Sequence, residues 1–497
     1  MDVLIKKANN RLRYTALLGA VASLISAMTL AEPPIYVGFE SGAVRPMAMS
    51  ADNKYLYSVN TPDGRLEIFD IAADGSLQAA ASVPVGVEPV SVAVHGDEVW
   101  VVNHISDSVS VVDVSTNLPA VTRTLLVGDE PRDIVFANNR AFITTAHRGQ
   151  HRSHRSLRNV PGAGDPQLTT PSISRADVWV FNANTKGGRA LGGKPIKIVE
   201  LFTDTPRALA VSPDGSTVYA AAFSSGNQTT AIHEGVVCDG FVDDEYGNKP
   251  CKTEDNVSMP GGLSNNLLPG GRPLPSTNAK GEPAPYASMI VKFDGEDGVW
   301  KDTDGRNWNN AVRFSLPDLD VFAIDAQTLE EVASYPHAGT TLFNMATNPV
   351  NGNIYVTNTE ANNATRFEGP GIMGGTTTQG EIAYSQITVI NPESGEVTQH
   401  HLNSHIDYNA RPAAVNTKQH TLSNPLDLVV SSDGSTIYTA AMGSNKIGVI
   451  DAVALESGVF NPLQASSSYI PVSGGGPVGV LLNEQANRLY VATRYDN

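Results

Sequence analysis

Apolar and polar residues alternate with a period of two along most of this chain, in short runs that end at Asn, Asp or Gly, and the whole pattern is written seven times. Period two puts every other side chain on one face of an extended backbone, so each run predicts a β-strand rather than a helix. The copies begin near Pro46, Pro89, Pro131, Pro206, Leu342, Pro425 and Pro477. The fullest read Pro206-Arg-Ala-Leu-Ala-Val-Ser-Pro-Asp-Gly-Ser-Thr-Val-Tyr219 and Pro425-Leu-Asp-Leu-Val-Val-Ser-Ser-Asp-Gly-Ser-Thr-Ile-Tyr438: an apolar strand, an Asp-Gly turn and an aliphatic-Tyr strand. Most copies add a third strand closing on Asp or Asn, as in Ser108 to Asp113 and Lys446 to Asp451. Short strands and tight turns recurring at about 42 residues predict an all-β, seven-bladed β-propeller.

Within each blade the proline-led strand is read as innermost, and a polar-apolar stretch before the next proline as outermost. One outermost-type strand, Ile35 to Phe39, precedes every innermost strand and is expected to complete the last blade, so that the two chain ends close one ring. The seventh copy supplies two strands and stops at Tyr495-Asp-Asn497, which predicts a last blade that is truncated here. Four insertions interrupt the repeat, at 147–176, 224–318, 359–385 and 400–424. The first three fall between second and third strands, the last between an outermost strand and the next innermost one. Successive strands alternate in direction, so both kinds of connection leave the same face of the ring. Long loops gathered on one rim point to binding.

Several function classes fall to composition. Residues 1–31 have a basic start (Lys6, Lys7, Arg11, Arg13), an apolar centre from Tyr14 to Leu30 and small residues at the end, the pattern of a secretory signal peptide. A periplasmic or extracellular protein is expected, with no membrane insertion after the signal is removed. The net charge of −17 repels phosphate backbones and argues against a nucleic-acid partner. Both cysteines, Cys238 and Cys251, lie in one insertion, and in an exported chain they read as a local disulfide. No Cys-x-x-Cys-His occurs, so no covalently attached c-type haem is expected on these residues.

The short repeat Val99-Trp-Val-Val-Asn103, Val109-Ser-Val-Val-Asp113, Leu126-Val-Gly128 and Pro131 resembles the YVTN or YncE-like β-propeller family. The resemblance covers about Ile35 to Asn497 outside the insertions. It implies an exported propeller without an assigned catalytic centre. Some larger relatives look like propellers followed by a cytochrome-type domain, which would place electron-transfer chemistry beyond residue 497.

Chemistry-bearing side chains gather in the insertions. His147, His151 and His154 sit in the first, His233 in the second, and His400, His401, His405 and His420 in the fourth. Imidazoles suit a metal or a cofactor edge, but Arg148, Arg152, Arg155 and Arg158 lie among the first three and favour an anion or an acidic partner surface instead. His147, Arg148, His151, Arg152, His154, His400, His401 and His405 therefore mark the expected face for a protein or small-molecule ligand. Two acidic loops, with Asp239, Asp243 and Asp244 in one and Asp302 and Asp304 in the other, are weighed as calcium sites against plain turn-forming acids. The Asp or Asn ending each third strand, and the Asp-Gly pairs at 214–215 and 433–434, are read as turn chemistry. No nucleophile elbow, zinc helix or phosphate-cradling loop is present. The leading expectation is an exported binding or scaffold propeller; the alternative is the propeller portion of a periplasmic redox protein.

Overall fold

The computed structural model describes residues 42–164, 176–232, 289–302, 305–312, 318–363, 382–408, 410, 413–473 and 475–495. Residues 1–31, expected to be a signal peptide, and the strand expected at Ile35 to Phe39 lie outside them. Seven antiparallel sheets follow the repeat. Blade 1 is Met47–Met49, Tyr55–Asn60, Arg65–Ile71 and Leu77–Pro84; blade 2 is Pro89–His95, Glu98–Asn103, Ser108–Asp113 and Ala120–Leu126. Blade 3 is Asp129–Ala137, Arg140–His147, Ala176–Asn182 and Lys197–Leu201, and blade 4 is Pro206–Val211, Thr217–Ala222, Val321–Asp325 and Glu331–Tyr335. Blade 5 is Thr341–Thr347, Ile354–Ala361, Ala383–Ile390 and Val397–His401, and blade 6 is Pro425–Val430, Thr436–Ala441, Lys446–Asp451 and Ile470–Pro471. Blade 7 shows Pro477–Asn483 and Arg488–Thr493 among the described residues. Each innermost strand packs on the next, and that of blade 7 packs on that of blade 1, so the ring closes. The chain is a seven-bladed β-propeller.

The core lies between blades rather than within them. Trp100 of blade 2 is buried with Trp179 and Phe181 of blade 3; Phe142 of blade 3 with Phe322 of blade 4; Tyr219 of blade 4 with Val356 of blade 5. The same pairing continues around to Met47 and Leu56 of blade 1 against Tyr490 of blade 7. Period-two strands present an apolar face on both sides of each sheet, and only a neighbouring blade can cover it.

The axis of the ring is polar. Ahead of its first strand the chain enters the channel: Val44 is buried, its N–H donates to the Val90 carbonyl (2.9 Å), and Arg45 bridges Ser91 in parallel. Arg45 Nη2 lies 3.3 Å from Asp133 Oδ2, 2.8 Å from the Leu209 carbonyl and 3.3 Å from Asn344 Oδ1. Asn344 Nδ2 donates to the Val44 carbonyl (2.7 Å) and to Asp427 Oδ1 (2.6 Å), and Asp427 Oδ2 accepts the Val480 N–H (2.9 Å). Asp133 accepts the Ser91 hydroxyl (3.2 Å) and the Leu209 N–H (2.9 Å). One network thus joins blades 2 to 7 to the segment that leads into blade 1. Asp133, Asn344 and Asp427 hold the same place, two residues after the start of their copies, where a register shift bends each strand.

Turn chemistry follows the sequence reading. Asp113, Asn182, Asp325, Asn391 and Asp451 each accept a backbone N–H two or three residues on. Asp214 and Asp433 each bond two serines across the Asp-Gly turn, and those serine hydroxyls hold both carboxyls down to about 2. On the insertion face, Glu88, Thr205, Asn424 and Gly476 precede their prolines with positive φ, and each carbonyl accepts an N–H from just past its second strand.

Three outcomes are expected. Arg45→Met strands Asp133 and Asp427 in the channel and should destabilise by about 3–5 kcal/mol in equilibrium denaturation. Burial pushes Asp427 up to about 7 against the pull of Arg45. A raised carboxyl contributes stability that is full below its unfolded value of 3.8 and lost as pH climbs through about 7, so Asp427→Asn should flatten the decline in stability over that window. Separately, a β-branched residue with φ 51 at Thr205 is costly, and Asn occupies the matching place in blade 6. Thr205→Asn should raise stability by about 0.5–1 kcal/mol, measured the same way.

Candidate functional site

All four insertions leave one face, because each spans a second-to-third or an outermost-to-innermost connection of antiparallel sheets. Their roots differ from the sequence reading in detail. Blade 5's second and third strands run on to Ala361 and from Ala383, so residues 359–361 and 383–385 are strand. His400 and His401 belong to that blade's outermost strand, not to a loop. The 224–318 insertion carries its own three-stranded sheet, Thr229–Ile232, Met289–Asp294 and Val299–Lys301, around Ile232, Val291, Trp300 and Trp308. The β-branched and aromatic run Ile290-Val-Lys-Phe293 is the sequence signal for this sheet.

The blade 3 insertion does not present its arginines. Arg148 and Arg152 are 2% and 3% exposed, and both grip Asp177 and Glu200: Arg148 at 3.5 and 2.7 Å, Arg152 at 2.8 and 2.5 Å. Expected on the ligand face, they instead anchor the loop to blade 3's third and outermost strands, because Asp177 is fully buried and needs cations beside it. Burial raises the Asp177 carboxyl to about 6, and the two guanidiniums draw it back. His151 Nδ1 meets the Val127 carbonyl at 2.7 Å, and His154 caps a short 3-10 turn by accepting the Ser156 N–H. His147 is exposed.

The other histidines form a separate group beside blades 5 and 6. His400 is buried, its Nε2 without a partner, and burial lowers its pKa. His401 packs on Tyr384, ring centroids 4.6 Å apart, and on Tyr408. His405 packs edge-on against His420 at 5.8 Å, and burial lowers its pKa too. No three His, Cys, Asp or Glu among the described residues are placed to hold a metal ion. Asp302, weighed as a calcium ligand, accepts Arg306 Nε (2.7 Å), Arg306 N–H (2.9 Å) and Trp308 Nε1 (2.9 Å), closing a turn. Asp239, Asp243, Asp244, Asp304, His233, Cys238 and Cys251 lie outside the described residues.

What the insertions enclose is a crevice of about 410 Å³ between blades 4 and 5, lined by Asn227, Lys292, Phe293, Asp318, His337 and Glu360, among others. Asn227 ties the blade 4 insertion to the end of blade 5's second strand, donating to Glu360 Oε1 (3.3 Å) and to the Ala361 carbonyl (2.8 Å). Asp318 Oδ2 receives both Nδ1 (2.6 Å) and the backbone N–H (3.1 Å) of His337. Asp320, two residues on and fully buried, bonds the Ser225 hydroxyl and the Ala338 N–H and shares a hydrogen bond with Asp318. Burial first, and then the neighbouring Asp318 charge, raise the Asp320 carboxyl well above the usual carboxylate range. The two carboxyls thus fasten both ends of the long insertion to the turn before blade 5. None of these residues stood out in the sequence, where Asp318-Leu-Asp320 reads as the last polar stretch before a strand.

Asp177→Asn removes the buried negative charge from beside two buried guanidiniums, and should cost about 3 kcal/mol or more of stability while loosening 148–164 in amide exchange.

A family model described as Lactonase, 7-bladed beta-propeller, matches residues 34–117. Among solved structures, Kuenenia stuttgartiensis hydrazine synthase is similar at 16% identity and a TM-score of 0.53, over 92% of this chain and 95% of that one. A putative 6-phosphogluconolactonase from Bacteroides uniformis is 13% identical over 92% and 87% of the two chains, with a TM-score of 0.41. A second, from Bacteroides fragilis, is 11% identical over 90% and 86%, with a TM-score of 0.44. No curated protein matches the chain. At 16% identity the likeness to hydrazine synthase is one of fold alone.

Proposed function

We propose that this chain is an exported binding propeller that holds its ligand on the insertion-bearing face, between the outgrowths of blades 4 and 5. The observation that carries this reading is the pair of bonds from Asn227 to Glu360 and Ala361, which fasten the blade 4 insertion to the end of blade 5's second strand beside a polar crevice. The axis offers a poorer site, since Val44 and Arg45 fill it and the Arg45 network occupies its polar groups. The signal-like start and the YVTN-like repeat supply the exported location on this reading. The redox alternative gains no specific support, because the hydrazine synthase likeness is one of fold.

Screening small metabolites and peptides by thermal shift, then mapping each hit by amide exchange, tests the assignment. Protection is expected at 225–232, 337–340 and 358–363. Protection confined to the opposite face, at the turns around Asn53, Asp214 and Asp433, would overturn it.

A further inference from the structure

We propose that residues 413–421, around the short helix Thr417–His420, form an acid-released strap: the neutral ring of His405 holds them against blades 5 and 6, and its protonation lets them go. The strap belongs to the 400–424 insertion, on the same face as the crevice but apart from it, and nothing in it depends on what the crevice binds.

Side chains alone tie the strap down. Its backbone hydrogen bonds stay within it, from the Thr417, Gln419 and Thr421 N–H groups to the carbonyls of Ala414, Asn416 and Lys418. Outward, among the described residues, it meets three side chains. His405 Nε2 lies 3.3 Å from the Thr417 carbonyl and 3.4 Å from Thr421 Oγ1. Lys446 Nζ, from blade 6, donates to the carbonyls of Lys418 (2.5 Å), Gln419 (2.9 Å) and Thr421 (3.4 Å). His420 Nδ1 lies 2.6 Å from Ser466 Oγ, whose own proton goes to the Leu463 carbonyl. From Leu422 onward the hold is different, for Leu422 is buried and its N–H and carbonyl both bond the Asn403 amide, at 2.8 and 2.7 Å. The strap therefore has a fixed end from which it can lift.

A ring that gives its Nε2–H to a carbonyl keeps its lone pair on Nδ1, and Nδ1 of His405 is buried without a partner. A proton added there finds no acceptor, and a buried donor left unmade is costly. The charge also meets two groups of like sign: His420, edge-on with ring centroids 5.8 Å apart, and the Lys446 ammonium. Among the described residues no carboxylate lies within ion-pair reach of His405, whereas His104 and His337 each have one. Asp407 and Lys418, the charged groups nearest in the insertion, are exposed. Burial first, and then His420 and Lys446, lower the pKa of His405, while the Thr417 carbonyl draws it back. The other titratable groups nearby are engaged elsewhere. His401 is turned to Tyr384 and Tyr408; His400 pairs with Ile387 across blade 5; and Tyr469, in the cluster of Ile387, is kept neutral by burial.

The sign follows from the lowered value. A lifted ring takes its proton near the ordinary 6.5, and a docked one resists it, so docking is at full strength above about 6.5 and weakens as pH falls below, by up to about tenfold per pH unit.

Amide exchange at pH 7.5 and 5.5, corrected for the intrinsic pH dependence of exchange, tests the strap. Opening of 413–421 should rise about tenfold between the two, while the strands Ser108–Asp113 and Ala176–Asn182 keep their protection. His405→Gln keeps a donor for the Thr417 carbonyl without a titrating charge, and should cut the rise to less than about twofold. Lys446→Met removes a second tie and should loosen 413–421 already at pH 7.5. Melting curves at pH 7.5 establish that both variants are folded. Equal protection of the wild-type segment at the two pH values, a rise that survives His405→Gln, an unloosened segment in Lys446→Met, or acid loss of protection spread over the blade strands would each overturn the inference.

Discussion

Everything in this ring depends on charges that have to be neutralised where no water can do it. Asp133, Asn344 and Asp427 turn into the channel from the same bend of their strands, and each bonds the backbone of the next blade or the side chain that does. They form an arc of acceptors that only a cation on the axis can complete. Arg45 is that cation, and it comes from the segment before blade 1 rather than from a blade. Burying a carboxylate without a partner costs several kcal/mol. The ring is therefore closed twice over: by apolar packing of blade 7 on blade 1, which is unspecific, and by an ion-pair network that admits one register.

The repeat made the fold legible because its signals are local. Period-two alternation, Asp-Gly turns such as 214–215 and the Asx residues that end third strands all act within a few residues, and the structure uses each as the sequence suggests. Strand polarity carried the reading one step further, to the face on which the insertions gather. The hub was not legible in the same way. Asp133 and Asp427 sit in apolar strands, yet nothing local says that Arg45, 88 residues from Asp133, meets both of their networks.

The ligand face was misread for a related reason. Arg148 and Arg152 look like a free basic loop when only their neighbours in sequence are visible, but Asp177 and Glu200 on the far side of the insertion claim them. His400 looks like a loop residue until its strand is paired with Ile387. Asp318, His337 and Glu360 come from three separate segments whose proximity is set by the ring, so no spacing rule finds them. Counting titratable residues in a loop overstates its freedom when the partners lie outside the loop.

Those two levels are connected. Arg45 and the acceptors around it occupy one another at the axis, and on the proposed reading polar recognition falls to the outgrowths. The outgrowths in turn are held by further buried carboxyls: Asp177 at the root of one insertion, Asp320 at the root of another. Asp177 holds two guanidiniums of one insertion, and Asp320 binds donors from two segments, so each acid offsets part of the ordering entropy of the segments it ties down. Glu360 repeats the device at the surface, where Asn227 and Thr340 reach it from separate segments and its remaining capacity faces the crevice. The chemistry that closes the propeller at its centre is thus the chemistry that shapes its rim, with one difference: at the rim the cation is Lys292, half exposed, whereas the guanidinium of Arg45 at the axis is held by groups from three blades.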